Sequence, residues 1–301
     1  MANRVVPPTW REIARRLWRV LRRTVELYGE FETGQRAAAL AYYGLLSIFP
    51  LLLLLVTLLS RWVTTAIAQQ TVLTLLQGIS PFVPDIIVEN IEYVVAARGP
   101  LNLVAAVGLT WSASGLFAAI THALDRIWNP KGGRTFWEHR LISLLLVTGV
   151  ILLFAFSILV SAVLSLLPRV ILLLLPVEQA WVLRGWHYIP PLISLGVDVF
   201  LYAMLYRFLP TRRPPWAAVW SGAVVAGIGW NAAKWGFGWY LRRFARYGLV
   251  YGTLATLVAF LFWIYLSGLV LLVGAEWGAA WAEIMSSRVS EDASQPVSHA
   301  A

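Results

Sequence analysis

Two residues of opposite charge interrupt apolar stretches of the chain, and they are the first candidates for chemistry. Asp198 lies within the stretch 186–209, and Lys234 lies within the stretch 217–240. A charged side chain in an apolar helix is costly to bury, so it faces a partner, the protein interior or water. Such residues are typical of a substrate or ion pathway. A structural polar contact for Asp198 and snorkelling of Lys234 towards the helix end are the alternatives.

The positions of these two residues along their helices bear on whether they pair. At about 1.5 Å per residue, Asp198 lies about 16 Å from residue 209 and Lys234 lies about 25 Å from residue 217. If the two helices are antiparallel neighbours, the difference is roughly 9 Å, which is too large for an easy ion pair. Helix tilt or the length of the lysine side chain would have to close that gap.

A proline, Pro50, lies inside the uncharged run Ala37–Ser60. Proline in a helix lacks an N–H donor and displaces the carbonyl group four residues earlier. In apolar surroundings that carbonyl needs a partner, and Tyr42, Tyr43 and Ser47 are the nearby polar residues. The kink predicts either one wall of a site, with the aspartate described above as the other wall, or a structural bend satisfied by a neighbouring helix.

A carboxylate, Glu276, follows the last apolar run and stands between Gly274 and Gly278. We interpret it as a residue of the membrane interface, with a place in a proton or substrate pathway as the functional alternative. Small residues spaced four apart are typical of closely packed membrane helices. The candidate pathway therefore contains Tyr42, Tyr43, Ser47, Pro50, Asp198, Lys234 and Glu276.

Six long apolar runs must position these residues. Hydrophobic residues make up 59% of the 301-residue chain and charged residues 13%, whereas soluble domains contain about 25% charged residues. A membrane helix takes about 20 apolar residues, and every run is that long. The sequence predicts an all-α, polytopic membrane protein whose membrane domain covers residues 37–285. The spans are expected at about 37–60, 101–122, 141–167, 186–209, 217–240 and 251–273.

The basic residues predict the orientation of these spans. With the N-terminus in the cytoplasm, 16 of the 24 basic residues lie in cytoplasmic segments and seven lie in outer segments. Because cytoplasmic loops of membrane proteins are enriched in arginine and lysine, both termini are expected in the cytoplasm. The amphipathic connection 62–99 predicts short external helices, and the polar segment 286–301 predicts a disordered cytoplasmic tail.

The first 36 residues predict a basic cytoplasmic arm that contains an amphipathic helix. In the segment 10–28, apolar residues recur at helical spacing and arginines cover the opposite face. A helix of this kind binds anionic membrane lipids, and packing on the protein's own loops is the alternative. The residues assigned to the membrane surface are Arg11, Arg15, Arg19, Arg22 and Arg23.

Several function classes find no support in the motifs. The chain has no cysteine, so disulfides and thiolate metal sites are excluded. Its four histidines are too scattered to indicate a metal site. It has no phosphate-binding loop, HExxH motif or serine nucleophile elbow. The net charge of +9 follows the ends of the apolar runs and does not indicate a nucleic-acid partner. We expect no metal, no cofactor and no enzymatic activity, and we leave self-association open.

Four segments resemble the YihY/BrkB family of bacterial inner-membrane proteins. They are Arg36-Ala-Ala-Ala-Leu-Ala-Tyr-Tyr-Gly-Leu-Leu-Ser-Ile-Phe-Pro50, Leu116-Phe-Ala-Ala-Ile-Thr-His-Ala-Leu-Asp-Arg-Ile-Trp-Asn129, Tyr206-Arg-Phe-Leu-Pro210 and Gly274-Ala-Glu276. The resemblance implies six spans in the inner membrane with both termini in the cytoplasm. Where the family's second span usually ends in alanine-leucine-asparagine, this chain has Asp125. Members were long labelled ribonuclease BN, a label generally regarded as an error.

Two functions from different classes follow from these observations. A transporter or lipid translocase, the favoured idea for the family, would use a cavity near Asp198 and Pro50. A non-transporting membrane scaffold or envelope assembly factor would act through the basic N-terminal helix instead. The two differ in whether the aspartate or the N-terminal arm is needed.

Overall fold

The structure of the protein is a computed structural model, and it describes residues 10–59, 103–129, 179–244 and 248–294, with residues 135, 137–138, 141–142 and 144–145. Six long helices lie in these ranges and no strand does. They are α1 (Trp10–Glu30), α2 (Thr33–Leu59), α3 (Leu103–Trp128), α4 (Gln179–Phe208), α5 (Trp216–Phe244) and α6 (Gly248–Ser294).

Five of the six predicted spans coincide with helices, and the helices are longer than the apolar runs. α2 begins before the predicted span, and α3 continues six residues beyond it to Trp128. Most of the predicted third span and the external segment 62–99 lie outside the described residues. Within the described part of the chain, one stretch, Leu257–Ser287 in α6, is long and apolar enough by length and composition to cross a membrane.

The polar segment at the C-terminus is helical where the structure describes it. α6 runs to Ser294, so residues 286–294 of the segment expected to be disordered lie in a helix in the structure. The hydroxyl groups of Ser286 and Ser287 donate to the carbonyls of Glu283 and Ile284, three residues earlier, at 2.9 and 3.0 Å. Glu283 in this part of the helix also pairs with Arg23 of α1 at 2.7 Å.

Small residues let α5 and α6 cross at close range. A Cβ atom added to Gly222 would lie 2.4 Å from the carbonyl oxygen of Gly274, and one added to Gly278 would lie 2.8 Å from the carbonyl oxygen of Ala218. Tyr206 of α4 is fully buried beside this crossing, and its hydroxyl donates to the carbonyl of Leu271 at 2.7 Å. Glycine is needed at the crossing because a side chain would push the two backbones apart.

α1 packs against the extended end of α6. Val20, Thr24 and Leu27 form its buried edge, and Arg23 Nε donates to Glu283 Oε2 at 2.7 Å. Arg23 is half-buried, and the hydrogen bonds that it donates to Glu283 and Glu30 raise its pKa. A two-residue break separates α1 from α2, and Glu32 in that break has a positive φ of 50°.

A buried carboxylate fastens α3 to the connection between α4 and α5. Asp125 Oδ1 accepts the backbone N–H of Thr211 at 2.5 Å, and Asp125 Oδ2 accepts the Thr211 hydroxyl at 2.9 Å. The side chain thus fixes the start of α5 relative to α3.

We predict that Asp125→Ala lowers the free energy of unfolding by about 1–3 kcal/mol, because two donors lose a buried acceptor. Asp125→Asn is the matched control. Its amide can accept the Thr211 N–H and donate to the hydroxyl oxygen, so it should remain close to the parent protein. Unfolding in mixed detergent micelles measures both. Equal stability of the alanine variant and the parent would show that these bonds contribute nothing.

Candidate functional site

The α4–α5 hairpin brings the two charged candidates into contact. Lys234 Nζ lies 3.2 Å from Asp198 Oδ2, and both side chains are mostly buried, at 22% and 17% exposure. Asn231 Nδ2 donates to the same carboxylate oxygen at 3.0 Å and to the carbonyl of Gly227 at 2.9 Å. The carboxylate is therefore held by an ammonium and an amide that stand one turn apart on α5.

The axial offset that the sequence predicts between the two residues is present, yet their side chains meet. A Cβ added to Gly227 would lie 2.5 Å from Val199 Cγ2, so these residues are level. Lys234 lies seven residues beyond Gly227 and Asp198 one residue before Val199, which leaves an offset of about 9 Å. Side chains on a helix lean towards its N-terminus. On antiparallel helices the two side chains therefore lean towards each other and close the gap.

The lysine also faces an aromatic ring. Lys234 Nζ lies 5.8 Å from the ring centroid of Trp230, one turn earlier on α5. A cation at this range from an indole is attracted by the electron-rich face of the ring. The ammonium thus has two electrostatic partners, and it does not need to reach water at the helix end as the snorkelling alternative requires.

A cavity of about 420 Å³ opens beside the ion pair. Its walls come from five helices, and apart from Asp198, Tyr202 and Ser267 they are formed by apolar side chains, Trp230 and one glycine. The Ser267 hydroxyl donates to the carbonyl of Trp263 at 2.8 Å, so it is occupied within its own helix. The lining residues are Leu40, Leu116, Ile120, Asp198, Leu201, Tyr202, Leu205, Trp230, Ile264, Ser267, Gly268 and Leu271.

The residues around the proline do not form a wall of this cavity. α2 contributes Leu40 to the lining, ten residues before Pro50, or about 15 Å along the helix. Tyr42 and Tyr43 are exposed and contact each other edge to face at 5.6 Å. Of the residues proposed for the pathway near Pro50 and Asp198, the aspartate lines this cavity, and Tyr42, Tyr43, Ser47 and Pro50 do not.

Ser47 bonds to α3, whereas the sequence suggests it as a partner for the carbonyl that Pro50 frees. It is buried, and its hydroxyl donates to the carbonyl of Ser112 on α3 at 3.1 Å. A Cβ added to Gly115 would lie 3.3 Å from the Ser47 hydroxyl oxygen, so the helices approach closely here. Ser47 therefore links α2 to α3 by a hydrogen bond, at a point where Gly115 lets the two helices come close.

Glu276 is more deeply buried than an interfacial residue. It has no exposed surface, and Thr33 at the start of α2 donates its hydroxyl to Glu276 Oε1. The other oxygen, Oε2, has no hydrogen-bond partner among the described residues. Leu271, the nearest cavity residue on α6, is five residues away, or about 7.5 Å along the axis. Glu276 thus lies outside the lining of the cavity, further towards the C-terminal end of α6.

The predicted membrane-surface arginines have different surroundings. Arg22 pairs with Glu26 at 3.1 Å, and Arg23 pairs with Glu283, so these two are engaged by carboxylates. Arg15 donates to the carbonyl of Arg11 at 3.2 Å. Arg11, Arg15 and Arg19 are exposed.

Sequence reasoning missed several residues of the site. Asn231 and Trp230 are polar and aromatic residues next to the lysine, and the spacing of Gly227, Asn231 and Lys234 at i, i+4 and i+7 places them on one face of α5. Tyr202 follows Asp198 by four residues on α4. This spacing was readable in the chain and could have identified the group. In the ranges that the structure describes, no cluster of three metal-ligating side chains occurs.

Comparison with known proteins gives a family and no solved structure. The family model described as Virulence factor BrkB matches residues 25–298. A UPF0761 membrane protein of Tolumonas auensis is 30% identical over 268 residues, covering 84% of this chain and 82% of the relative. The ribonuclease-like protein YfkH of Bacillus subtilis is 28% identical over 264 residues, covering 83% of this chain and 92% of the relative. No solved structure matches.

A third relative is longer than this chain. A UPF0761 membrane protein of Alkalilimnicola ehrlichii is 29% identical over 256 residues, and the match covers 84% of this chain but 56% of the relative. The family model covers most of the chain, including the ion pair, the cavity and Glu276. The resemblance found in the sequence motifs is confirmed, and the chain belongs to the BrkB family of bacterial membrane proteins.

Proposed function

We propose that this protein is a multi-pass transporter or lipid translocase of the bacterial inner membrane. The observation that carries the proposal is the cavity of about 420 Å³ that is lined by Asp198, the partner of Lys234 in the ion pair. Small-molecule sites have volumes of roughly 300–1,000 Å³ and apolar walls with few polar groups, which fits this cavity. Within a membrane domain, a buried ionisable residue is a functional candidate by default.

Tryptophans on α5 support a span across the bilayer. Trp216 and Trp220 at one end, and Trp235 and Trp239 at the other, are all exposed. The centres of the two pairs are 19 residues apart, or about 28 Å, close to the hydrocarbon thickness of about 30 Å. Tryptophan concentrates at both membrane interfaces. We propose six spans in total, with the third at about 141–167 and both termini in the cytoplasm.

The depth of the cavity also favours transport. On α5 the midpoint between the two tryptophan pairs falls near Gly227, and Trp230, which lines the cavity, is about 4 Å from that level. Transporters hold their substrates near the bilayer midplane, where a site can open to either side in turn. A structural ion pair would need no cavity at that depth.

The composition of the walls suggests the class of substrate. Leucine and isoleucine side chains from α2, α3, α4 and α6 face the cavity, and Asp198 is the one charged residue among its lining residues. A substrate with an apolar body and a polar end fits such walls, because each part meets its own kind of surface. A phospholipid or another amphipathic solute has this form, whereas a small hydrated ion does not.

We predict that the purified protein moves fluorescent phospholipids or amphipathic solutes across liposome membranes, and that Asp198→Asn impairs this movement. Glu283→Gln is the matched control, because it also removes a carboxylate from an ion pair between helices but lies outside the cavity. A panel of labelled phospholipids, amphipathic solutes and ions is assayed in proteoliposomes. No transport of any member, or equal transport by the parent and Asp198→Asn, would contradict the proposal.

A further inference from the structure

α1 carries an apolar stripe that the protein does not cover. Trp10, Trp18 and Val25 are exposed at 86%, 68% and 65%. Leu17, Leu21 and Tyr28 are also exposed. With about 100° between successive residues of a helix, these six side chains lie within one face about 100° wide. A contiguous apolar face of this size marks an interaction surface.

The face of α1 next to the stripe fixes the position of the helix. Val20, Thr24 and Leu27 are buried, and Arg23 is bonded to Glu283 at 2.7 Å. The apolar stretch Leu257–Ser287 is 31 residues long, or about 46 Å as a helix. That length approximates a bilayer with its headgroups, about 40–45 Å. Glu283 lies four residues before the end of this stretch, so it holds α1 at the depth of the headgroups.

The charges of α1 select the partner. The helix has six arginines and three glutamates. By helical geometry, the arginines at 11, 15 and 22 border the exposed stripe. A shallow pocket of about 510 Å³ lies beside them, and its lining residues are Glu12, Arg15, Arg16, Trp18 and Arg19. A second copy of α1 on this stripe would bring like charges together, whereas an anionic lipid surface attracts them.

We propose that α1 is an interfacial anchor for anionic phospholipids. The stripe formed by Trp10, Leu17, Trp18, Leu21, Val25 and Tyr28 enters the boundary between headgroups and acyl chains. Arg11 and Arg15 bind the phosphate oxygens of anionic headgroups, since a guanidinium presents paired donors to a phosphate. The inference is independent of transport, because it concerns the arm and not the cavity.

The absence of cysteine from the chain makes a direct test feasible. Trp18→Cys and Val25→Cys place a nitroxide on the stripe, and Arg19→Cys places one on the polar face as the matched control. The full-length variants are measured in nanodiscs of phosphatidylglycerol by the collision of each label with oxygen and with a water-soluble nickel chelate. We expect the labels at 18 and 25 to favour oxygen and the label at 19 to favour nickel.

Other outcomes would overturn the inference. If nickel reaches the labels at 18 and 25 as readily as the label at 19, the stripe lies in water. If neither reagent reaches them, the stripe is covered by protein. Nanodiscs of phosphatidylcholine, and the double variant Arg11→Gln/Arg15→Gln in phosphatidylglycerol, should both shift labels 18 and 25 towards water. Equal insertion in both lipids would remove the role of negative charge, and relief by added glycerol phosphate would indicate a soluble anion instead.

Discussion

Gly222→Ala is expected to lower the free energy of unfolding by about 3 kcal/mol. Overpacking typically costs about 1–3 kcal/mol, and the upper end applies because the new methyl group meets backbone atoms, which cannot move aside by changing rotamer. The added Cβ would lie 2.4 Å from the carbonyl oxygen of Gly274 and 3.3 Å from Gly278. Either α5 and α6 separate or the carbonyl moves, and both changes disturb the packing around Tyr206. Unfolding in mixed detergent micelles measures the effect.

The same substitution elsewhere on α5 is the control. A Cβ added to Gly236 meets nothing within 4 Å, and Gly236 is exposed. Alanine is the better helix former by about 1 kcal/mol, so Gly236→Ala should leave stability unchanged or raise it. The two variants share composition, helix and chemical change. If they proved equally stable, the close crossing of α5 and α6 would be refuted.

Removing one member of the Asp198–Lys234 pair should have the other large effect. Asp198→Leu leaves the ammonium without its carboxylate, and breaking a buried pair in this way costs about 3–5 kcal/mol. Because the side chains retain 17% and 22% exposure, a value at the lower end of that range is expected. Asn231 would also lose the oxygen that it donates to at 3.0 Å.

The double variant Asp198→Leu/Lys234→Met separates structure from function. Replacing a buried pair by apolar side chains of similar volume is often neutral for stability. We therefore expect unfolding close to that of the parent protein but transport as low as in the single variant. Recovery of transport together with stability would mean that the pair is only structural. A double variant no more stable than Asp198→Leu would show that the pair itself is not formed.

The sequence was sufficient for the class of the protein and for the charged residues of the site. Unbroken apolar runs and the cost of a charge within them identify membrane helices and single out Asp198 and Lys234. The family motifs carried the same information, and the family model confirms them. These features depend on local composition, which a single sequence records directly.

Contacts between helices depend on which faces meet, and the sequence does not record that. The sequence predicts the offset between Asp198 and Lys234 along the helix axes. Their contact, however, depends on the directions in which the two side chains lean on antiparallel helices. The kink at Pro50 follows a local rule, whereas its distance from the cavity depends on which turn of α2 lines the cavity. Glu276 was expected at the membrane interface. Its burial follows from the packing of α5 on α6 and from its contact with Thr33 of α2, which are contacts between distant segments.

Blocking the cavity tests directly whether substrate passes through it. Ser267→Cys places one thiol in its wall, and Ser286→Cys, on the exposed part of the same helix, is matched because both serines donate to a carbonyl of their own helix. Transport is measured in proteoliposomes before and after reaction with a bulky thiol reagent. We expect labelled Ser267→Cys to lose transport while labelled Ser286→Cys keeps it. Undiminished transport by fully labelled Ser267→Cys would contradict the claim that substrate passes through this cavity.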